Sequence, residues 1–171
     1  MVVRRLRADE VAQLRDLRLA ALAGCPEAFD EDYAHVAAQP IEFWRERSAN
    51  GAQGDTVATF VAVAGARHVA TATGVVPQPD EPAELVAMWV EPDRRRQGIA
   101  IALIDAVCAW ASEHGAVRIE LCVHDGNDAA RLLYERAGFE TVGESLPCPR
   151  HDGVTERHMV RPLRTGALPI A

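Results

Sequence analysis

Apolar positions along this chain recur with two periods, and the change from one to the other marks the elements. Residues 2–6 form a short apolar-rich run that reads as a strand. Val11, Leu14, Leu17 and Leu22 then follow helical spacing, which predicts a helix over residues 9–23 with Asp9 as its cap. Residues 25–29 break it. An acidic, aromatic-bearing stretch, residues 27–33, leads to a second helix over 40–48 with Pro40 in its first turn. Residues 56–64 and 69–76 are β-rich runs around Gly65, which predicts a hairpin. Residues 77–82 read as a loop. Residues 84–90 are apolar on both faces, as a central strand is. Strand alternation puts Glu84 on one face with Val86, Met88 and Val90.

Helical spacing returns with Ile99, Leu103, Ala106, Val107 and Trp110, predicting a helix over 98–114 that Gly115 ends. Residues 117–123 read as a strand. Asn127 opens a helix that Gly138 ends, and residues 139–143 and 156–161 read as the last two strands, with a polar loop at 147–153. A strand–helix–strand–helix order across 84–137 implies a right-handed parallel crossover. Antiparallel strands on either side make the expected fold α/β, a mixed central sheet flanked by helices. No repeat or linker interrupts it, so one domain over 1–165 with a loose tail at 166–171 is expected.

The chemistry concentrates after the central strand. The run ending at Val90 meets Pro92, and Arg95-Arg96-Gln97-Gly98-Ile99-Ala100 then opens the helix. The first N–H groups of a helix have no partner inside it and its dipole favours negative charge, so such a turn suits an anion. Gly98 lacks a Cβ and lets a phosphate approach the main chain. A second block runs from Asn127 through Ala130, Leu133 and Tyr134 to Gly138-Phe139.

The first block resembles the coenzyme A pyrophosphate loop, [Gln/Arg]-x-x-Gly-x-[Gly/Ala], of the GNAT superfamily of N-acetyltransferases. The second is similar to that family's Asn-x-x-Ala-x-x-Leu-Tyr-x-x-x-Gly-Phe motif. The resemblance implies a GNAT-type three-layer fold and direct transfer of acetyl from acetyl-CoA to a primary amine. It implies that Arg95, Arg96, Gln97, Gly98, Ile99 and Ala100 hold the pyrophosphate, mainly through backbone N–H groups. Met88, Trp89 and Val90 would offer backbone to the pantetheine arm, and Asn127 would both cap its helix and touch a pantetheine amide. Tyr134 would donate a proton to the departing thiolate.

A lysine-type amine has a pKa of about 10.4 and a thiol about 8.5, so a base and an acid both help near neutral pH. Glu84 stands where histone-acetyltransferase-like members place a catalytic Glu. Glu120, inside an apolar strand, is the second candidate, and a water relay is the third. Ribosomal-protein alanine acetyltransferases carry a Glu five residues before the motif Asn, and this chain has Cys122 there. His124 follows a strand on the cofactor side and could relay protons. Phe29, Tyr33 and Trp44 are candidate pocket aromatics, with core packing as the rival reading.

Composition narrows the field further. The 171 residues carry a net charge of −7, which disfavours general nucleic-acid binding and suits steering of a cationic amine. All 18 basic residues are Arg, so the chain cannot acetylate itself on a lysine side chain. Cys25, Cys108, Cys122 and Cys148 show no CxxC spacing and the six histidines no HExxH, so no metal is expected. Cys108 and Cys122 read as buried thiols. No apolar run is long enough to span a bilayer and MVVRRLRADE is no signal peptide, so a cytoplasmic location is expected. The expected partners are acetyl-CoA and an amine acceptor, with no membrane and no nucleic acid; a homodimer is compatible with the sequence. Two rival functions stay open: a non-catalytic acyl-CoA sensor on the same fold, and an acetyltransferase acting on a protein N-terminus, a lysine or a tRNA-linked amine.

Overall fold

The structure, a computed structural model, describes residues 1–29, 31–78, 81–149 and 152–163. The expected tail lies outside them. In chain order the elements are β1 (Val2–Arg5), α1 (Val11–Gly24), α2 (Tyr33–Ala37), α3 (Ile41–Gln53), β2 (Val57–Ala64), β3 (Arg67–Val75), β4 (Ala83–Val90), α4 (Ile99–Glu113), β5 (Arg118–His124), α5 (Asp128–Arg136), β6 (Glu140–Thr141), β7 (Leu146–Pro147) and β8 (Thr155–Pro162). The strands form one sheet in the order β1-β2-β3-β4-β5-β8-β6, with β7 also on β8. Among the described residues only β4 and β5 run parallel; the other pairings are antiparallel.

The mixed sheet is covered on both faces. Leu103, Val107 and Trp110 of α4 and Tyr134 of α5 pack with Ala62, Leu85, Ile119, Leu121 and Met159. Leu14 and Leu17 of α1 and Trp44 of α3 pack with Val61 and Trp89. Ala62 and Val61 are neighbours on β2, and neighbours on a strand point to opposite faces, so the two cores lie on opposite sides of the sheet. Gly74 of β3 lets α4 approach closely, since a Cβ there would stand 2.8 Å from the Trp110 ring and from Val107. Trp44 and Phe29 are buried in the α1–α3 core, with Arg18 stacked 4.4 Å over the Phe29 ring, so they pack rather than line a pocket. Tyr33 is exposed.

Several expectations are corrected. α1 begins at Val11, with Glu10 rather than Asp9 at the cap position, and no side chain caps it. The Glu10 carboxylate accepts from both nitrogens of the Arg4 fork and from the Arg7 N–H at 2.9 Å. A two-pronged, charge-assisted bond outweighs a single cap bond. α2 was not legible because five residues show no periodicity; Asp32 caps it, accepting from His35 N–H at 2.9 Å. α3 runs past Ser48 to Gln53. Gly51 sits inside it because a Cβ there would come within 2.6 Å of Thr59 Oγ1, so the helix needs glycine where it crosses β2. Cys108 is buried as expected, but Cys122 is exposed, since Leu121 and Val123 take the covered face of β5. No helix among the described residues is long and apolar enough to cross a membrane.

Glu10 ties β1 to α1, and also lies 3.3 Å from His68 Nε2. The Arg4 hydrogen bonds hold its carboxyl well below the usual range, at about 2. Its unfolded value is about 4.3. A depressed folded pKa contributes stability that is fully present above the unfolded value and is lost as pH falls through the folded one. Glu10→Gln is therefore expected to cost of the order of 2 kcal/mol at neutral pH, after allowing for partial solvent access, and the difference should close between about pH 4 and 2. Urea unfolding of both proteins across that range measures it; a gap constant with pH would contradict the assignment.

Candidate active site

β4 and β5 are joined by register pairs only at their starts, Ala83↔Ile119 and Glu84↔Glu120. β4 then continues to Val90 and β5 to His124 without pairing, so the sheet opens toward the carboxyl ends of its two parallel strands. α4 follows one of these ends and α5 the other. In open α/β sheets, the opening beyond the carboxyl ends of parallel strands is where ligands bind.

A bulge lies on β4 beside this opening. Ala87 has φ of 53°, and β4 pairs with β3 through Val86↔Thr73 and Trp89↔Thr71, so Ala87 and Met88 together face Ala72. One extra residue inverts the faces beyond it. Leu85 and Val90 consequently share the α4 core, while Trp89 packs on the α1 side. The expectation that Glu84 shares a face with Met88 and Val90 is thus wrong; Val86 is its neighbour on that face, and both are exposed. Strict alternation fails here because nothing in Val86-Ala87-Met88 signals a bulge, and Ala is an unusual residue at positive φ.

The turn before α4 has positive φ at Arg96 (61°) and at Gly98 (78°). Gly98 is the cap residue of α4 and offers no side chain to it, so the N–H groups of Ile99, Ala100 and Ile101 begin the helix without side-chain partners. A Cβ built at Gly98 would meet nothing within 4 Å, so the turn is open in front of it. Arg95 is exposed but tied back to the chain: its Nε donates to Val90 O at 3.1 Å and its Nη2 lies 3.8 Å from Cys25 Sγ. Gln97 Nε2 donates to Asp93 O at 3.2 Å. These two side chains brace the turn through main-chain carbonyls. Arg94 and Arg96 are exposed.

Across the opening, Asn127 Oδ1 accepts from Ala130 N–H at 3.1 Å and caps α5. Tyr134, two turns along α5, is only 9% exposed, and its ring meets Phe139 edge-on at 5.8 Å. Burial pushes its phenol up to about 12, so the hydroxyl is held protonated at neutral pH.

On β5, Glu120 is not a bare buried carboxylate. Arg118 Nε donates to it at 2.7 Å and His158 Nε2 lies at 2.8 Å. Burial raises its pKa, but the hydrogen bonds from Arg118 and His158 outweigh that and lower it. A carboxylate so stabilised is a poorer base than an unpaired one. Glu84 lies beside it in register and close enough to Cys122 to raise that thiol's pKa; burial and Glu156 raise it more, to about 11. His124 Nε2 lies 3.7 Å from Cys148 Sγ. His114 caps the end of α4, its Nδ1 lying 2.7 Å from Trp110 O.

Sequence comparison settles the family. The model of the acetyltransferase (GNAT) family matches residues 18–139. The chain belongs to the GNAT family. A mycothiol acetyltransferase of Propionibacterium freudenreichii is 35% identical over 63 residues, which is 37% of this chain and 20% of that protein. The matched stretches span between 20% and 29% of the curated relatives. A GNAT-family acetyltransferase from Streptococcus pneumoniae superposes with a TM-score of 0.80 at 17% identity, covering 95% of this chain and 99% of that one. The yncA structure from Salmonella typhimurium, determined with its cofactor acetyl-CoA, superposes at 0.73 with 15% identity over 100% and 98% of the two chains. The mixed sheet flanked by helices is therefore the GNAT fold. The Gly98 turn follows the end of β4, and the helix that carries Tyr134 follows the end of β5. The Ala87 bulge, the Glu120–His158 pair and the His124–Cys148 approach were not legible, because each depends on register between distant strands.

Proposed function

We propose that this GNAT protein transfers the acetyl group of acetyl-CoA directly to a primary amine. The observation that carries this is the parting of β4 and β5, with the uncapped start of α4 after one strand and α5, which bears the buried, protonated Tyr134, after the other. In this reading the main chain of residues 97–100 takes the pyrophosphate, and Met88, Trp89 and Val90 lie alongside the pantetheine. The cap role of Asn127 uses its oxygen, and its NH₂ is the end suited to a pantetheine carbonyl. The donor on Tyr134 favours an enzyme over a non-catalytic sensor, which would have no use for it. An acidic chain draws in cationic amines and repels tRNA. Acetyl-CoA is a cytoplasmic metabolite, so the reading places the protein there. Purified protein given acetyl-CoA and a panel of amines should release thiol with at least one of them; release at the buffer rate with every amine would oppose the reading.

Glu84 is the base in this account, standing exposed at the last register pair before β4 and β5 part, while Glu120 is committed to Arg118 and His158. Glu84→Gln should lower kcat by about 10²-fold, the scale of one positioned base. Acetyl-CoA affinity should be unchanged. The deficit should shrink as pH approaches the amine pKa of about 10.4, where the acceptor ionises unaided. A rate equal to wild type at every pH would hand the role to a water relay.

A further inference from the structure

Beside the opening, on the face of the sheet that carries Glu84, lies a group of side chains that acetyl transfer does not use. Among the described residues, His124, Cys148 and Glu156 are the one trio of His, Cys or acidic groups whose ligand atoms all lie within 4.8 Å of one another. His124 and Glu156 are register partners across β5 and β8. Cys148 follows β7 and is anchored by its N–H to Val154 O at 2.8 Å. Cys122 stands two residues before His124, on the same face of β5, outside that trio but near enough to Glu156 for the carboxylate to raise its pKa. β5, β8 and the residue after β7 thus bring an imidazole, a carboxylate and a thiol together, with a second thiol beside them on β5.

We propose that His124, Cys148 and Glu156 hold a zinc ion, with the neighbouring Cys122 turning in to complete a four-ligand site. The donor set has the softness zinc takes, with thiolate, imidazole and carboxylate in one tetrahedron. Zinc–sulfur and zinc–nitrogen bonds of about 2.3 and 2.0–2.1 Å place the two donors about 3.6 Å apart in tetrahedral geometry. The Cys148–His124 separation is 3.7 Å. Three of the ligands sit on paired strands, so little chain entropy opposes binding. With four protein ligands the site is closed and structural, without the open position a catalytic zinc keeps. Its effect is to fasten the β7–β8 connection onto β5 beside Glu84. The spacing of the chain conceals it, because the ligands span residues 122 to 156 and no two of them form a CxxC or HxxxH pair.

The full-length protein, freed of metal and kept under a non-thiol reductant, is titrated with zinc in competition with a chromophoric chelator. One ion per chain is expected. Cys148→Ser and His124→Ala should each weaken binding roughly 10²-fold. Cobalt in place of zinc should give a thiolate-to-cobalt charge-transfer band that Cys148→Ser weakens. Unchanged metal-free melting of both variants shows that they fold, and acetyl-CoA binding measured alongside reports on the cofactor site separately. Binding that is substoichiometric, or equal in wild type and Cys148→Ser, overturns the proposal and leaves a thiol–imidazole hydrogen bond.

Discussion

Gly98→Asp is expected to weaken acetyl-CoA binding by more than about 10²-fold, with the fold intact. At φ of 78° most side chains are strained, but Asp tolerates this conformation better than most, and a Cβ here meets no neighbour within 4 Å. The start of α4 should therefore survive. What changes is the electrostatics: a carboxylate is placed where the dipole and the main-chain N–H groups attract negative charge, so it competes with the pyrophosphate and repels it. Gly98→Asn, of the same size and without the charge, separates the two contributions. It should lose less than Asp by at least about tenfold, the scale of one charge-assisted contact. Calorimetric titration with acetyl-CoA reads both. Equal affinities for wild type and the Asp variant would remove the pyrophosphate from this turn.

Tyr134→Phe is expected to lower kcat by about 10²-fold while leaving stability and acetyl-CoA affinity nearly unchanged. Phe keeps the ring that packs edge-on against Phe139 and loses only the hydroxyl. The hydroxyl is held near 12 by burial, well above a free thiol at about 8.5. Complete transfer of its proton to a free thiolate is thus uphill. Its contribution is to donate a hydrogen bond to sulfur as charge develops there, and the expected loss is that of one positioned donor. Thiol release by wild type and variant on a verified amine gives the ratio. Full activity in the Phe variant would make Tyr134 a core aromatic and nothing more.

Both predictions rest on residues that the sequence already pointed to, and the reason is local. Gly98 and Tyr134 belong to short blocks whose geometry is set within two turns of helix. A glycine at a cap and a residue seven positions past a capping Asn do not depend on distant strands. The strand–helix–strand–helix order across 84–137 was legible for the same reason, since α4 and α5 are long enough to show their period. Glu84 shows the limit. Its neighbours on the sheet were misjudged because the Ala87 bulge shifts β4 by one residue, and no Gly or Pro announces it. Glu120 appeared as a costly carboxylate in an apolar strand; its partner His158 lies 38 positions away and meets it only across the β5–β8 ladder. Cys122 was assigned to the core from its apolar flanks, yet those flanks occupy the other face. In each case the missing information was which strand lies beside which, and in what register.

The most direct test of acetyl transfer to an amine is to follow the acetyl group itself. The protein is given isotope-labelled acetyl-CoA and an amine on which it turns over, and the label is traced by mass spectrometry in the amine and in the protein. Direct transfer predicts label on the amine nitrogen in step with thiol release, and none on the protein when the amine is left out. Label held covalently on the chain before amine is added, or thiol released while the amine stays unlabelled, would contradict it.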